Sequence, residues 1–507
     1  MDLNNQEELI EILGLNIDQS DVESIRFEHV NKKGKDSPGI KSLVIRLKDS
    51  HPTCPYCSKW FGRIHAYIRN NIKHSMTMGY PTEIVFERRR YRCPVCGKTW
   101  SEPNPFVQKR GKISVNTVIN VLQDLKSPTE TFTGVAIRYG LSTTTVINLF
   151  DMHVNIPRKP LPKYLCIDEN YAIQVDRSKY VVILLDFEQQ EIVDILPNRF
   201  KEDMIHYFLN IPLEERKNVK AVGIDMYRTY KDVAEKVFPN ANVCIDRFHL
   251  IKLFNEKQDI IRKRALNAAA KEKNHNYYLL QSYRKRTDFF SFKNSAEYIA
   301  IKYKYDESRK KYYILKKFSW ILAKDKDKEL FDANAPAKYN KSLGRRVNYF
   351  EIRQLLIKYE VSLSETMYFR DRLNGLYDLK DREKEEEYID ELIQELANST
   401  LDEMKQFSRT MRYWRNEILN SLVVITQTYK VSKDGCVEVQ DRRMNNGAIE
   451  GKNKIIKMIK NNGNGWKNFP RFRARAMYVI NKSDTFALEP IYSIKQLKTE
   501  KDKNKKR

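Results

Sequence analysis

Tyr164-Leu165-Cys166-Ile167-Asp168 and Ala221-Val222-Gly223-Ile224-Asp225 are short apolar runs, each closed by a carboxylate. A third acid, Glu450, stands far downstream in Asn445-Asn446-Gly447-Ala448-Ile449-Glu450-Gly451-Lys452-Asn453-Lys454, where the pattern turns helical and basic. Short apolar runs bounded by polar residues read as buried strands. Two carboxylates at the carboxyl ends of strands and one on a helix can converge on a pair of divalent cations. Such a site supports the cutting and joining of phosphodiester bonds. A single Asp after a strand is ordinarily a turn residue. Three acids in these settings, in a chain this basic, point to chemistry instead.

Around the first two acids the pattern is mixed α/β. Strands are expected over 164–168, 180–186, 191–196, 219–225 and 241–246, with helices over 200–210 and 230–238. Three hairpin-like strands followed by alternating helices and strands make a mixed sheet. Ligands collect at the carboxyl edge of strands in such sheets, where Asp168 and Asp225 are expected. From Leu250 to about Thr428 the chain reads as almost wholly helical, rich in Lys, Glu and Tyr. Only 56 residues separate Asp168 from Asp225, whereas 224 separate Asp225 from Glu450. The long stretch is therefore read as a helical insertion that folds separately. Its charged run Lys380–Glu387 reads as a solvated face.

Upstream, Cys54-Pro55-Tyr56-Cys57 and Cys93-Pro94-Val95-Cys96 are separated by 35 residues. Each pair can put two thiolates on one tight turn, and four thiolates satisfy tetrahedral Zn²⁺. Such a metal is structural, because no coordination position remains open. His51, His65 and His74 lie nearby and are not needed as ligands. The intervening text is rich in β-formers and basic residues (Lys59, Arg63, Arg69, Lys73, Arg88, Arg89, Arg90 and Arg92), with Trp60, Phe61 and other aromatics interleaved. This ribbon is expected to touch phosphates, with Arg88 and Arg89 among the contacts. From Ile113 to His153 the pattern turns helical. Thr131–Ile147 reads as a short helix, a glycine turn and a second helix capped by Ser142. Thr143, Thr144 and Asn148 of the second helix are expected to face DNA bases.

The chain has 507 residues, with 91 Lys and Arg against 66 Asp and Glu, a net charge of +25. That excess attracts a polyanion, most simply nucleic acid. No apolar stretch reaches 18 residues, so no membrane partner is expected. The acidic, polar first residues resemble neither a secretory signal nor a transit peptide. Seven cysteines suggest no disulfide framework: four form the two pairs, and Cys166 and Cys244 read as buried thiols. A cytoplasmic protein is the expectation.

The order of cysteine pairs, helix-turn-helix, Asp168, Asp225 and Asn446-Gly447-Ala448-Ile449-Glu450-Gly451-Lys452-Asn453-Lys454-Ile455-Ile456-Lys457 resembles bacterial insertion-sequence transposases of the ISL-three family. Gly465-Trp466-Lys467-Asn468-Phe469-Pro470-Arg471-Phe472-Arg473-Ala474-Arg475 strengthens the likeness. So does Asp246-Arg247-Phe248-His249, which is similar to the DxxH element such enzymes place after their second acid. The resemblance implies a multidomain α+β protein: zinc ribbon, helix-turn-helix, and a ribonuclease-H-like mixed α/β catalytic core interrupted by a large all-helical insertion. It implies an Asp168-Asp225-Glu450 triad holding two Mg²⁺ (or Mn²⁺), with Asp246 and His249 as secondary residues. Lys452, Lys454 and Lys457 would hold phosphates beside the metals. Expected partners are DNA, as element ends and target, and further copies of the chain in a homodimer or higher oligomer on DNA. The expected boundaries are 1–48 for an N-terminal segment, 49–105 for the ribbon, 106–155 for the helix-turn-helix and 160–250 for the first part of the core. The insertion follows at 251–430, the last part of the core at 431–485 and a basic tail at 486–507. Two rival expectations are a DNA-binding regulator derived from a transposase and a nuclease of the same fold that does not join. Trp320 and Trp414 are weaker candidates for DNA contact within the insertion.

Overall fold

A computed structural model describes residues 10–489, apart from 12, 16, 31–39, 59–61, 78–79, 109–110, 176, 286–292, 325–328, 432–436 and 464. Lys59, Trp60, Phe61 and most of the basic tail lie outside the described residues. The chain forms two compact units: Met1–Pro160 with Glu169–Phe200 and Ile449–Arg507, and Leu161–Asp168 with Lys201–Ala448.

The first unit opens with a sheet of β1 (Val22–Val30), β2 (Ile40–Leu47), β3 (Arg63–Thr77), β4 (Tyr80–Arg92) and β5 (Thr99–Ser101). Its order is β1-β2-β4-β3, with β5 on β4. Val22–Val30 and Ile40–Leu47, ahead of the expected boundary at 49, are therefore part of the same sheet as the ribbon. Alternation decides the core face: Leu43, Ile45, Ile84 and Phe86 are buried with Ile72 and Phe106. Three helices follow, α1 (Val115–Asp124), α2 (Phe132–Arg138) and α3 (Thr143–His153). Ser114, Thr131 and Ser142 cap them, each side chain accepting a backbone N–H of the first turn. Gly140 takes φ +62° in the turn between α2 and α3, where a side chain would strain the backbone.

β6 (Tyr164–Val175) runs through both units. In the first it continues into β7 (Ser178–Asp186) and β8 (Ile192–Leu196), an antiparallel pair with Val182 opposite Leu196. In the second, its opening residues pair in parallel with β9 (Ala221–Ile224), which pairs in parallel with β10 (Asn242–Ile245). Helices α4 (Lys201–Leu209), α5 (Leu213–Lys217) and α6 (Arg228–Val237) connect these strands. On α6, Tyr230, Val233, Ala234 and Val237 form the buried stripe at helical spacing.

The expected insertion is α7 (Arg247–Arg284), α8 (Ala296–Lys317), a small hairpin β11 (Lys338–Asn340) and β12 (Arg345–Val347), then α9 (Tyr349–Tyr359), α10 (Val361–Leu376), α11 (Arg382–Ala397), α12 (Asp402–Tyr413) and α13 (Arg415–Ser421). It is thus helical but not all-helical. β13 (Val424–Val431) pairs with β14 (Val437–Arg443) across the expected boundary at 430. The run Leu422-Val423-Val424-Ile425-Thr426 is β-branched and favours a strand, which the helical reading of this region overrode.

α14 (Gly447–Asn462) and α15 (Phe469–Ile480) close the first unit. In α15 the Gly465–Arg475 block acts as a clamp. Arg471 donates to both carboxylate oxygens of Asp151 on α3, at 2.8 and 2.6 Å. Arg475, only 2% exposed, donates to the carbonyls of Ser127 and Glu130, and burial brings its pKa down to about 10. Tyr478 donates its hydroxyl to the Leu122 carbonyl at 2.9 Å. The Arg471–Asp151 pair is mostly buried and bidentate, so a double-mutant cycle with Ala at both positions should give a coupling of about 1–2 kcal/mol in unfolding free energy. Zero coupling would show that α15 does not fasten α3.

Candidate functional site

The register of β6 on β9 governs the first two acids. Cys166 lies opposite Gly223, and a Cβ on Gly223 would stand 3.5 Å from the Cys166 sulfur, so the two residues share a face. The paired register ends there, and Asp168 and Asp225 follow two residues on along each chain. Asp168 is not at a strand end, as expected, but in the interior of β6, and it is buried. The strand runs on because Ala172 and Ile173 are buried beyond it. Asp225 sits one residue past β9, half-buried, and accepts the Tyr227 N–H at 3.1 Å.

Asp246 caps α7. One of its oxygens accepts the Phe248 N–H at 3.0 Å and the other the Asn446 N–H at 3.2 Å. It fixes the segment before α14, which is a positioning role. His249 lies one turn along α7. It lines a cavity of about 370 Å³ with Asp225, Tyr227, Lys252, Glu256 and Trp414. Trp320 instead packs edge-on against Tyr349.

Asn446 was quoted in the motif but given no role by the sequence. It is fully buried, and neither its side-chain nitrogen nor its oxygen has a partner among the described residues. Gly223 makes room for it: a Cβ there would stand 2.9 Å from the Met444 methyl and 3.4 Å from the Asn446 oxygen. The Asn445-Asn446-Gly447 turn signature was the available signal.

Glu450 belongs to the first unit, half-buried in the first turn of α14. That helix is pinned to β6 by Asn170, whose amide donates to the Asn453 side chain at 2.8 Å and to its carbonyl at 3.1 Å. Lys454 and Lys457 are exposed. Lys452 is half-buried and its pKa is lowered, first by desolvation, with Glu191 acting in the opposite direction.

The cysteine pairs are brought together by the β3–β4 hairpin. Arg63 pairs with Arg92, so the turns before β3 and after β4 lie side by side. The four sulfurs lie within 4.8 Å of one another, with Cys54–Cys96 at 3.7 Å and Cys57–Cys93 at 3.6 Å. A tetrahedron with Zn–S bonds of about 2.3 Å has edges of about 3.8 Å, so the cluster fits zinc. The Cys96 N–H donates to the Cys93 sulfur and is the first cause of a Cys93 pKa lowered to about 6, which favours the ligating thiolate. His74 is no ligand: it is buried between Ser114 Oγ and the Leu13 carbonyl.

Among the expected DNA contacts, Arg89 is corrected. It is 2% exposed and donates to the Leu47 carbonyl and to Glu102 and Glu23. Successive residues of β4 face opposite ways, so Arg89 turns its guanidinium toward Leu47, Glu23 and Glu102. Arg88 is half-buried and donates to the Glu102 carbonyl. Arg63, Arg90 and Arg92 are exposed. On α3, Thr144 is exposed, whereas Thr143 and Asn148 are half-buried.

A DDE transposase family of the ISL3 (ISL-three) type, described as a transposase, matches residues 165–430 and 423–476. The chain belongs to that family. Residues 50–96 match the zinc-finger of the transposases IS204, IS1001, IS1096 and IS1165. The transposase for insertion sequence element IS1001 of Bordetella parapertussis is 22% identical over 226 residues, 44% of this chain. The match spans 55% of that relative's length. Among the described residues no helix is long and apolar enough to cross a membrane.

Proposed function

We propose that this chain is a DNA transposase that binds the terminal inverted repeats of an insertion sequence, cleaves at the element ends and joins the freed 3′ ends to target DNA. The observation that supports it most is the parallel register of β6 and β9, which sets Cys166 opposite Gly223 two residues before Asp168 and Asp225. The family match, which covers residues 423–476, supports Glu450 as the third acid. The donor set is all carboxylate oxygen, which suits hard Mg²⁺ or Mn²⁺. The buried, unpartnered Asn446 amide, next to Gly223, offers a donor and an acceptor to the water a hydrated cation brings.

Asp168, Asp225 and Glu450 would be the residues that hold such ions. Bound there, the metals supply water activation and charge stabilisation at the leaving 3′ oxygen. The three carboxylates carry no proton in this scheme; they contribute charge and position. His249 and Lys252 face the Asp225 cavity and would steady the scissile strand. Lys454 and Lys457, exposed on the helix of Glu450, would hold flanking phosphates, with half-buried Lys452 behind them. Copies of the chain would assemble on DNA, since two element ends must be processed together.

End recognition is assigned to α3 of the helix-turn-helix, and sequence-independent contact to the exposed ribbon residues Arg63, Arg90 and Arg92. Thr144→Ala with Asn148→Ala in the full chain should lower the preference for end over scrambled duplex by about 1–3 kcal/mol for each side chain that reads a base. An unchanged preference would place end recognition elsewhere. The whole proposal is tested with a pre-cleaved element end and a target plasmid in Mg²⁺. Joined product is expected; hydrolysis without joining would favour the non-joining nuclease.

A further inference from the structure

The chain's positive charge is unevenly spread. Residues 247–317, which include α7 and α8, carry nineteen Lys and Arg against seven Asp and Glu. That excess of twelve is nearly half of the chain's +25, in about one-seventh of its length. None of the roles assigned above uses it beyond His249 and Lys252 at the start of α7.

The two helices explain how so much like charge is tolerated. They pack against each other along one seam: Ala265, Ala269, Asn276 and Leu280 of α7 with Tyr298, Ile301 and Ser308 of α8, all buried. Within it, Asn276 donates to Ser308 Oγ at 3.3 Å, which fixes the register. Nearer its start α7 also packs against α10 and α12, through Gln258–Thr366 and Lys257–Gln406; farther along, the pairing with α8 buries one stripe of each helix and leaves other faces open. The far half of α7 is exposed on its other faces at Arg264, Lys271, Tyr278 and Lys285. At 100° per residue these four lie on the side of α7 away from the seam. On α8, Lys302, Tyr303 and Lys304 are exposed.

A minority of these cations, set close together, are not consumed by the fold. Some basic residues are engaged: Arg262 and Lys263 with Asp259, Arg264 with Glu403, Lys310 with Glu307. Lys271, Lys285, Lys302 and Lys304 have no ion pair among the described residues. Between Lys263 and Lys285 the only acid is Glu272. Tyr278 and Tyr303 are 71% and 66% exposed, presenting hydroxyls and ring faces beside the lysines. Exposed cations with no partner mutually repel, and the surface becomes favourable only against a polyanion.

We propose that the α7–α8 hairpin is a second DNA-contact surface, which grips the backbone of duplex DNA without reading its sequence. The inference rests on the proposed action on DNA and adds a contact separate from the helix-turn-helix. The far part of α7, from Arg264 to Arg284 and its cap Lys285, spans about 32 Å, close to one helical turn of a duplex. Lysine ammonium groups and tyrosine hydroxyls suit phosphate oxygens.

The test uses the full chain and a random-sequence duplex without element ends, titrated across a salt series. The variant carries Lys271→Gln, Lys285→Gln, Lys302→Gln and Lys304→Gln. Each phosphate contact contributes about 0.9 to the slope of log affinity against log salt, so the slope should fall by roughly 3 to 4. Affinity at fixed moderate salt should fall by about tenfold or more, and the fourfold Lys→Arg variant should keep both. An unchanged slope in the Gln variant overturns the proposal, as does an equally large fall with Arg at these positions. If the Gln substitutions weaken single-stranded DNA more than duplex, the duplex assignment is overturned. If the unaltered chain shows no salt-dependent binding to any duplex, the DNA reading beneath the proposal fails, a result distinct from the others. Circular dichroism should show unchanged helix content, because all four lysines are exposed and lie off the seam.

Discussion

Asp168→Asn, Asp225→Asn and Glu450→Gln should each reduce cleavage of element ends in Mg²⁺ about a thousandfold or more while sparing end binding. Each change keeps shape and volume and removes one metal-ligating charge. A loss of about 4 kcal/mol in transition-state stabilisation is a thousandfold in rate. The effects should not add, because the carboxylates act as one cluster, so a double variant should be hardly worse than either single one. Asp246→Asn is the informative contrast. Its two oxygens accept the backbone N–H groups of Phe248 and Asn446; Asn keeps one acceptor for the cap but sets an amide donor against the other N–H, so cleavage should fall through lost positioning, by much less than for the three acids. Near-normal strand transfer by any one of the three acid variants would remove that acid from the set.

Cys93→Ser should remove the zinc. Metal analysis of the purified chain should fall from one Zn²⁺ to almost none, because three thiolates and an alcohol do not complete the tetrahedron. Structural zinc contributes on the order of 10 kcal/mol to small metal-bound folds, so the two turns beyond the Arg63–Arg92 pairing should unfold. The remainder of the sheet should persist, since Leu43, Ile45, Ile84 and Phe86 form a core of their own away from the metal. Binding to DNA should weaken as Arg63, Arg90 and Arg92 lose their fixed strand ends. Unchanged zinc content in the variant would sink the four-cysteine assignment.

The clamp at α15 bears on the proposed DNA contacts of α3. A fragment ending near residue 155 would hold the five-stranded sheet and α1–α3. It lacks Arg471, Arg475 and Tyr478, which satisfy Asp151, two loop carbonyls and the end of α1. The arginines of the Gly465–Arg475 block bind internal carboxylates and carbonyls. For that reason the tests above use the full chain.

The sequence by itself determined the features that rest on local chemistry. Two cysteine pairs specify a tetrahedral metal site whatever lies between them. Ser142 and Gly140 specify a cap and a left-handed turn because each acts on its own backbone. The apolar runs before Asp168 and Asp225 specify buried strands, and the motif around Glu450 carries the family likeness that the family match bears out. Tertiary structure decided what depends on which neighbours cover a residue. Arg88 and Arg89 are identical to any local reading, yet strand alternation and the Thr99–Glu102 segment bury only the second. Asp168 reads as a strand end, but packing of Ala172 and Ile173 carries the strand past it. Gly223 reads as a neutral strand residue until Met444 and Asn446 are found against it. The charge of residues 247–317 is countable from sequence; which of its cations stay unpaired follows only from how α7 and α8 pack on each other and on their neighbours.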